Sequence, residues 1–411
     1  MAWFPARTGA MMLGMTIEIR TPDESQWEEM FLADARSFGY TPELGDIDLR
    51  RPIIDLARFR VAVDAGRIIG VAGSWAMDVT IPGGTTVPMT ALTWVSVAAT
   101  HRRQGVLTQL MDACHRDGDE RGEPVAMLYA SEGGIYERFG FGVATTMRRV
   151  VIERRDVSFR PDVIAARDAV SYIDGDDAVD HIKRLWERTR RQRAGEVSRS
   201  AQLHQFIADI CAKPQGTMSA AFTLAHADGY EAYRIGDDWS SGSPRHRLEL
   251  LELVAATPQA HIDLWQTVIG IDLVATISTR MLAMDDPLPY LLTNRRAVST
   301  TMLQDGVWAN VRDIPVCFGA RAYGMADRLV IEVAARRYAI ESDGTESVCK
   351  VVRSRPDLVV DQPSLGALLF GGVRPRTLVG AGRISARNEE ALRRADAFFV
   401  TGPAPFSQTF F

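Results

Sequence analysis

The chain has 411 residues against about 100–200 for a typical domain, so two or three domains are expected, each able to bury a core without metal or disulfide. Hydrophobic residues make up 46% and charged residues 24%, which excludes a disordered or fibrous chain, and no apolar run approaches the roughly 20 residues a bilayer requires. The net charge of −5 offers no global positive field to hold nucleic acid or an anionic membrane and suits a cationic ligand better. Met1–Gly14 carries Arg7 but no continuous apolar run of signal-peptide type. It reads as a disordered leader, with Met11, Met12 or Met15 as alternative starts.

Trp27–Phe38 and Gly105–Arg116 carry apolar residues at helical spacing, and Arg58–Val63, Ile68–Met77, Ala91–Val97 and Val125–Ala130 read as strands. Asp64-Ala65-Gly66-Arg67 is a hairpin turn. Together these make a mixed α/β domain ending near Arg155, with Asp156–Pro161 as a connector. The pattern then repeats. Val97-Ala98-Ala99-Thr100-His101, ahead of the second helix, recurs as Val254-Ala255-Ala256-Thr257-Pro258 ahead of Gln259–Ile269, and a hairpin precedes each copy, the second at Ala221–Arg234. An internal duplication is the economical reading. After Thr300 come strands Leu329–Val333, Tyr338–Ser342 and Ser347–Val352, a helix Ser364–Phe370 and an apolar helix Asn388–Phe399. The chain closes on the aromatic tail Thr401–Phe411.

The four cysteines, Cys114, Cys211, Cys317 and Cys349, lie far apart and form no CxxC, so reduced thiols in a cytoplasmic protein are expected; export without a recognisable signal peptide stays open. The seven histidines show no ligand spacing, and no metal is expected. The basic stretch Lys183–Arg193 is interrupted by Glu187 and reads as a solvated helix, with nucleic acid excluded as a partner.

The strongest chemical signal is the junction of a strand with a helix through Ala98-Ala99-Thr100-His101-Arg102-Arg103-Gln104-Gly105. A glycine-bearing turn at a helix N-terminus aims free N–H groups and the positive dipole end at one point, an anion site, and two arginines add donors suited to a diphosphate. In the second copy Gln259-Ala260-His261-Ile262 stand in place of Arg102–Gly105, so that copy lacks the same equipment. A second signal is Tyr129-Ala130-Ser131-Glu132-Gly133-Gly134-Ile135-Tyr136-Glu137-Arg138-Phe139-Gly140-Phe141-Gly142, a strand end, a short glycine-led helix and a Gly-Phe turn.

These two segments, in this order, resemble the GCN5-related N-acetyltransferase superfamily, with Leu107 at the last position of its RxxGxG/A pattern. The match narrows to the enhanced intracellular survival family of aminoglycoside N-acetyltransferases. The similar segments are Thr100–Leu107, Ala130–Tyr136 and Asp285-Asp286-Pro287-Leu288-Pro289-Tyr290-Leu291-Leu292. The resemblance implies an α/β (α+β) chain of tandem GCN5-related acetyltransferase folds, the second degenerate, followed by a sterol-carrier-like α+β domain. The implied divisions are 1–14 (leader), 15–155 (catalytic), 162–299 (degenerate copy) and 300–411 (sterol-carrier-like part with a catalytic tail).

By the same resemblance, Val95, Ser96 and Val97 would hold the pantetheine arm and thioester of acetyl-CoA. Arg102, Arg103, Gln104, Gly105, Val106, Leu107 and Thr108 would hold its pyrophosphate, with Ser131 and Glu132 at the thiol end. Tyr136 would protonate the departing thiolate, a task a phenol suits because it carries its proton at neutral pH. The carboxylate of Phe411 would be the general base; an α-carboxyl is weakly basic, but burial raises its pKa and its charge attracts an ammonium. Trp27, Phe38 and Trp94 would wall the substrate site. The family carries an acidic residue before the last phenylalanine, where this chain has Phe410. The expected activity is acetyl-CoA-dependent N-acetylation of aminoglycosides or other polyamines, linked to antibiotic resistance, in a homohexamer. Protein lysine acetylation at the same site and a non-catalytic lipid-binding or assembly role are the alternatives.

Overall fold

The computed structural model describes residues 17–43, 45–240 and 242–411; the expected leader and its start codons lie outside them. The chain divides into two compact units. One comprises the described residues up to Trp75 together with Leu92–Asp117, and the other comprises Ala76–Ala91 with Gly118–Phe411.

In the first unit, β1 (Glu18–Arg20) precedes α1 (Trp27–Phe38). The turn before α1 is closed by a capping box between Asp23 and Gln26, and α1 ends at left-handed Gly39. Trp27, Met30, Phe31 and Asp34 recur at helical spacing and form one face. Next come β2 (Phe59–Asp64) and β3 (Arg67–Thr80), joined through Ala65 and Gly66 at φ 47° and 79°, the two left-handed positions a two-residue hairpin demands. Met30, Phe59, Val61 and Val71 are core. β3 and β4 (Thr86–Val97) have residues in both units, and α2 (Val106–Glu120) follows the arginine turn.

The second unit contains β5 (Val125–Tyr129), β6 (Gly142–Val143) and β7 (Thr146–Glu153). After β8 (Val170–Tyr172) and helices α3 (Gly175–Thr189) and α4 (Ala201–Cys211) come β9 (Phe222–His226), β10 (Gly229–Gly236) and β11 (His246–Ala255). Then follow α5 (Pro258–Gly270), β12 (Val274–Thr279), β13 (Leu282–Ala283), β14 (Val298–Asp305) and β15 (Val307–Val311). The duplication is visible in the pairing. The hairpin β9–β10 repeats β2–β3, and the parallel pair β11–β12 repeats the parallel ladder of β4 with β5 from Met89↔Val125 to Ala91↔Met127.

One arrangement does not follow chain order. β7 pairs with β12, β13 and β14 and so joins the sheet β13-β7-β12-β11-β10-β9-β8, whereas β15 returns to lie between β5 and β6. The two folds thus exchange a strand. Val150 and Ile152 of β7 are buried with Leu248, Trp265 and Ile277 in the core of that larger sheet.

The rest of the chain builds β16 (Asp327–Val333), β17 (Arg336–Ser342), β18 (Ser347–Val351), β19 (Leu358–Val360), the helix α6 (Ser364–Phe370), β20 (Ile384–Ala386) and α7 (Glu389–Phe398). Every residue of α6 is buried. The Arg321 guanidinium, itself buried, bonds the carbonyls of Leu369, Ala322 and Phe399, and burial pushes its pKa down to about 10. The unit also seats α6 beside β6. A Cβ on Gly142 would lie 1.8 Å from the Pro363 carbonyl oxygen, and one on Gly366 would lie 2.8 Å from that of Ala309. Gly142→Ala should therefore cost about 1–3 kcal/mol of unfolding free energy by overpacking, read by urea titration. An unchanged midpoint would exclude this seat.

Candidate active site

In the first unit, β4 carries Trp94 at φ 54°, a left-handed conformation costing about 1–2 kcal/mol for a non-glycine residue. Neighbouring rings hold it there. Trp27 stacks at 5.8 Å between centroids, and Phe31 and Phe59 lie at 5.5 Å. A left-handed residue inside a strand breaks the two-residue alternation, and Val95, Ser96 and Val97 follow it as the end of β4. Trp27 and Trp94 thus share one aromatic cluster. Phe38 is 51% exposed.

After β4 the chain makes a short 3₁₀ turn, Ala99–His101, tied down by Ala98 N–H donating to Ile69 O (2.7 Å) and by the His101 ring between Thr100 Oγ1 (2.8 Å) and Asp64 Oδ2 (3.2 Å). Arg103 and Gly105 then adopt φ 63° and 80°, with α2 beginning at Val106 rather than at Gly105. The two left-handed residues reverse the backbone so that Val106 is buried while Arg102, Arg103, Gln104 and Gly105 are exposed. Among the described residues neither Arg102 nor Arg103 has an ion-pair or hydrogen-bond partner for its guanidinium. The first N–H groups of α2 have no intrahelical acceptor, by helix geometry. Exposed donors, unpaired cations and the dipole therefore meet at one turn, a fit for an oxygen-rich dianion. Leu107 is half-buried and Thr108 exposed.

The equivalent junction in the second copy is differently finished. Thr257 Oγ1 accepts from Ala260 N–H at 3.2 Å, and Pro258 occupies the first helical position without an N–H. That helix end is self-capped and has no arginine.

The first unit holds one residue that periodicity conceals. Asp34, on the same face of α1 as Trp27 and Phe31, is 4% exposed, and its Oδ1 has no hydrogen-bond partner. Burial pushes the Asp34 carboxyl up to about 7, with the Ser96 hydroxyl and the Arg50 guanidinium acting in the opposite direction.

In the second unit, Ser131 and Glu132 are exposed on the turn after β5, and Tyr136 opens a 3₁₀ turn, Tyr136–Phe139, rather than the helix expected. Its ring is 4% exposed and packs against Phe141. Burial, seconded by the charge of Glu132, raises the phenol's pKa against the hydrogen bond from Ser131, so it keeps its proton at neutral pH. The structure brings Ser131 and Tyr136 together. It also brings the tail to the end of β5: Tyr129 Oη donates to Ser407 O (3.2 Å), and its ring lies 4.7 Å from Phe410 and 5.4 Å from Phe411. Phe411 is 5% exposed and Phe410 70%.

Sequence reasoning missed what seats this tail. Asp285, in the Asp-Asp-Pro segment, accepts from Ala404 N–H (2.7 Å) and pairs with Arg193 (2.7 Å), whose guanidinium also bonds Ala404 O (2.7 Å). The basic stretch that could suggest nucleic acid is engaged in such pairs, Arg188 with Asp228 and Arg190 with Glu187 among them. The four cysteines are free thiols. Among the described residues no cluster of three or more His, Cys, Asp or Glu has metal-ligand geometry, and no helix is long and apolar enough to cross a membrane.

Residues 18–144 match the model of an acetyltransferase (GNAT) domain, residues 183–312 a second such model, and residues 318–408 that of a sterol carrier protein domain. The N-acetyltransferase Eis of Mycobacterium tuberculosis H37Ra is 32% identical over 403 residues, 94% of this chain and 98% of that protein. The chain belongs to the Eis family of N-acetyltransferases. The crystal structure of Eis1 from Mycobacterium abscessus, also 32% identical, aligns with a TM-score of 0.86 over 96% of this chain and 100% of that one. A GCN5-related N-acetyltransferase from Anabaena variabilis shares the fold at 17% identity, with a TM-score of 0.82 over 96% of this chain and 100% of that one. The expected architecture, two GNAT domains and a sterol-carrier-type domain, is the Eis architecture, and the chain is an N-acetyltransferase of that superfamily.

Within this Eis relative, Asp34 gives stability a pH dependence. A carboxyl whose folded pKa of about 7 exceeds its ordinary 3.8 adds stability at low pH that is lost as pH rises through the folded value. Asp34→Asn cannot titrate, so its Tm relative to wild type should rise from pH 5 to pH 8 by scanning calorimetry. A constant difference would exclude a proton held at this site.

Proposed function

We propose that the protein transfers the acetyl group of acetyl-CoA directly to amines of aminoglycosides or other polyamines in a ternary complex. The observation that carries the reading is the turn at Arg102–Gly105, where two exposed guanidiniums without a partner among the described residues stand at the N-terminus of α2. A diphosphate is the ligand that uses both. Val95, Ser96 and Val97 hold the pantetheine arm through their backbone. Arg102, Arg103, Gln104, Gly105, Val106, Leu107 and Thr108 hold the pyrophosphate, and Ser131 and Glu132 stand at the thiol end. Trp27, Phe38 and Trp94 wall the amine site.

The chemistry is a nucleophilic acyl transfer. The Phe411 carboxylate takes one proton from the substrate ammonium, the freed amine attacks the thioester carbonyl and forms the new C–N bond, and the C–S bond breaks as Tyr136 donates its phenolic proton to the thiolate. The second proton, shed by the nitrogen as the amide forms, restores the Tyr136 phenol while the carboxylate returns its proton to solvent. Burial suits Tyr136 to this role because it holds the phenol neutral until a thiolate develops. The negative net charge favours cationic substrates in the encounter. Assembly as a homohexamer belongs to the same reading and is supported by the family resemblance.

With acetyl-CoA and kanamycin or neamine, thiol release should be observed, and Tyr136→Phe should lower kcat by about 10²–10⁴-fold with little change in the KM for acetyl-CoA. Tight acetyl-CoA binding without turnover on any polyamine, together with turnover of a lysine peptide, would replace small amines by protein as the substrate. Appending a few residues after Phe411 should remove most of kcat and leave acetyl-CoA affinity intact. A fully active extended enzyme would eliminate the carboxylate as base.

A further inference from the structure

The segment Arg193–Arg199 leads out of α3 and runs alongside residues 404–409. Ala404 is bonded to Arg193, Phe406 N–H donates to Ala194 O at 2.9 Å, Gln408 N–H donates to Glu196 Oε2 at 3.2 Å, and Arg199 Nε donates to Thr409 Oγ1 at 2.8 Å. Gly195 permits the approach. Its φ is 95°, and a Cβ there would lie 2.8 Å from Phe406 O. Gln408 completes the seat by bonding the Leu253 backbone with both ends of its amide, at 3.4 and 3.2 Å.

Arg199 itself is fixed from behind. Its two terminal nitrogens lie 2.5 and 3.3 Å from the Glu252 carboxylate on β11, which also accepts from Tyr230 Oη at 2.7 Å, and its guanidinium lies 3.5 Å over the Trp186 ring. The arginine is almost wholly buried, with one nitrogen left for Thr409. A planar, doubly held guanidinium is a rigid donor, unlike a flexible ammonium. Such a buried charge is costly unless it is fully paired, and here the ion pair sits in the copy that has no arginine–glycine turn.

We propose that Arg199, braced by Glu252, is the positioning residue for the tail, and that the second acetyltransferase fold works as a receptor for residues 404–411 of its own chain. Its ligand is an extended peptide bearing a hydroxyl at 409 and an amide at 408, with an aromatic end passed on to Tyr129 of β5. This rests on the reading of Phe411 as base for its catalytic consequence but not for the binding itself.

The test measures release of Phe411 by carboxypeptidase A from the folded full-length protein, with each rate divided by that on the free peptide 404–411 of the same sequence. Thr409→Val removes only the arginine's contact with the tail, and Arg199→Met removes the guanidinium itself. Both should speed release about tenfold or more, since cleavage follows the population of the undocked tail. Thr409→Val should do so with a Tm lowered by only about 2–4 °C, so misfolding of the arginine variant would not leave the question open. Release at the wild-type rate in Thr409→Val would overturn the receptor. In the same variants kcat should fall while the KM for acetyl-CoA holds. Faster release with full kcat would keep the receptor and remove the carboxylate from the mechanism.

Discussion

The constraint on which the second unit depends is that residues 193–199 are hydrogen-bonded on two sides at once, by backbone on one side and mostly by side chains on the other. On one side Gly195 and Ser198 N–H donate to the carbonyls of Thr80 and Asp78, and Thr80 N–H donates back to Glu196 O, all at 2.8 Å. On the other side Ala194 O and Glu196 take the tail. Without the tail the Glu196 carboxylate and the Arg199 guanidinium, both buried, would each lose a partner, at about 1–3 kcal/mol apiece. The tail is thus held by one backbone bond and by side chains of a segment that belongs to the second fold, so its order is bound to the order of that fold. Glu196, which burial pushes up to about 8 against the pull of Arg199 and the Gln408 N–H, lies in the middle of these contacts.

Much of the local structure was legible because it follows from periodicity and caps. Trp27–Phe38 and Ser364–Phe370 form the helices expected, and the hairpin at Ala65-Gly66 follows from its turn residues. The duplication was legible for the same reason, since a strand, turn and helix in sequence leave their pattern twice. What stayed hidden was non-local or conformational. No pattern in Thr146–Glu153 states that its partners are β12 and β14 rather than β5, because alternation fixes a face and not a neighbour. The left-handed backbone of Trp94 and Arg103 is likewise invisible where the residue is not glycine.

The site residues divide in the same way. The Arg102–Gly105 turn announced itself by glycine, arginine and position before a helix, and Tyr136 by its place in a motif. Asp34 and Arg199 did not. Each looks like an ordinary polar residue in an element of mixed pattern, and only burial against particular partners makes either one special. Thr257-Pro258 could have been read further, because a threonine followed by proline is a helix N-cap that occupies the amides an anion would need.

The Gly-Phe turn at residues 140–142 enters the sequence as part of a coenzyme A pattern, yet its glycines meet Gln362, Asn310 and the Pro363 carbonyl. The turn is therefore a joint between parts of the chain that lie far apart in sequence. It makes the segment bearing Tyr136 inseparable from the C-terminal third of the molecule. A shortened chain that kept Tyr136 and its motif but dropped residues 362–366 would bare the backbone of β6 and its neighbour β15. Transplanting such a module, or recombining it with another third part, requires carrying the Pro363 and Gly366 backbone along as a matched pair with Gly142.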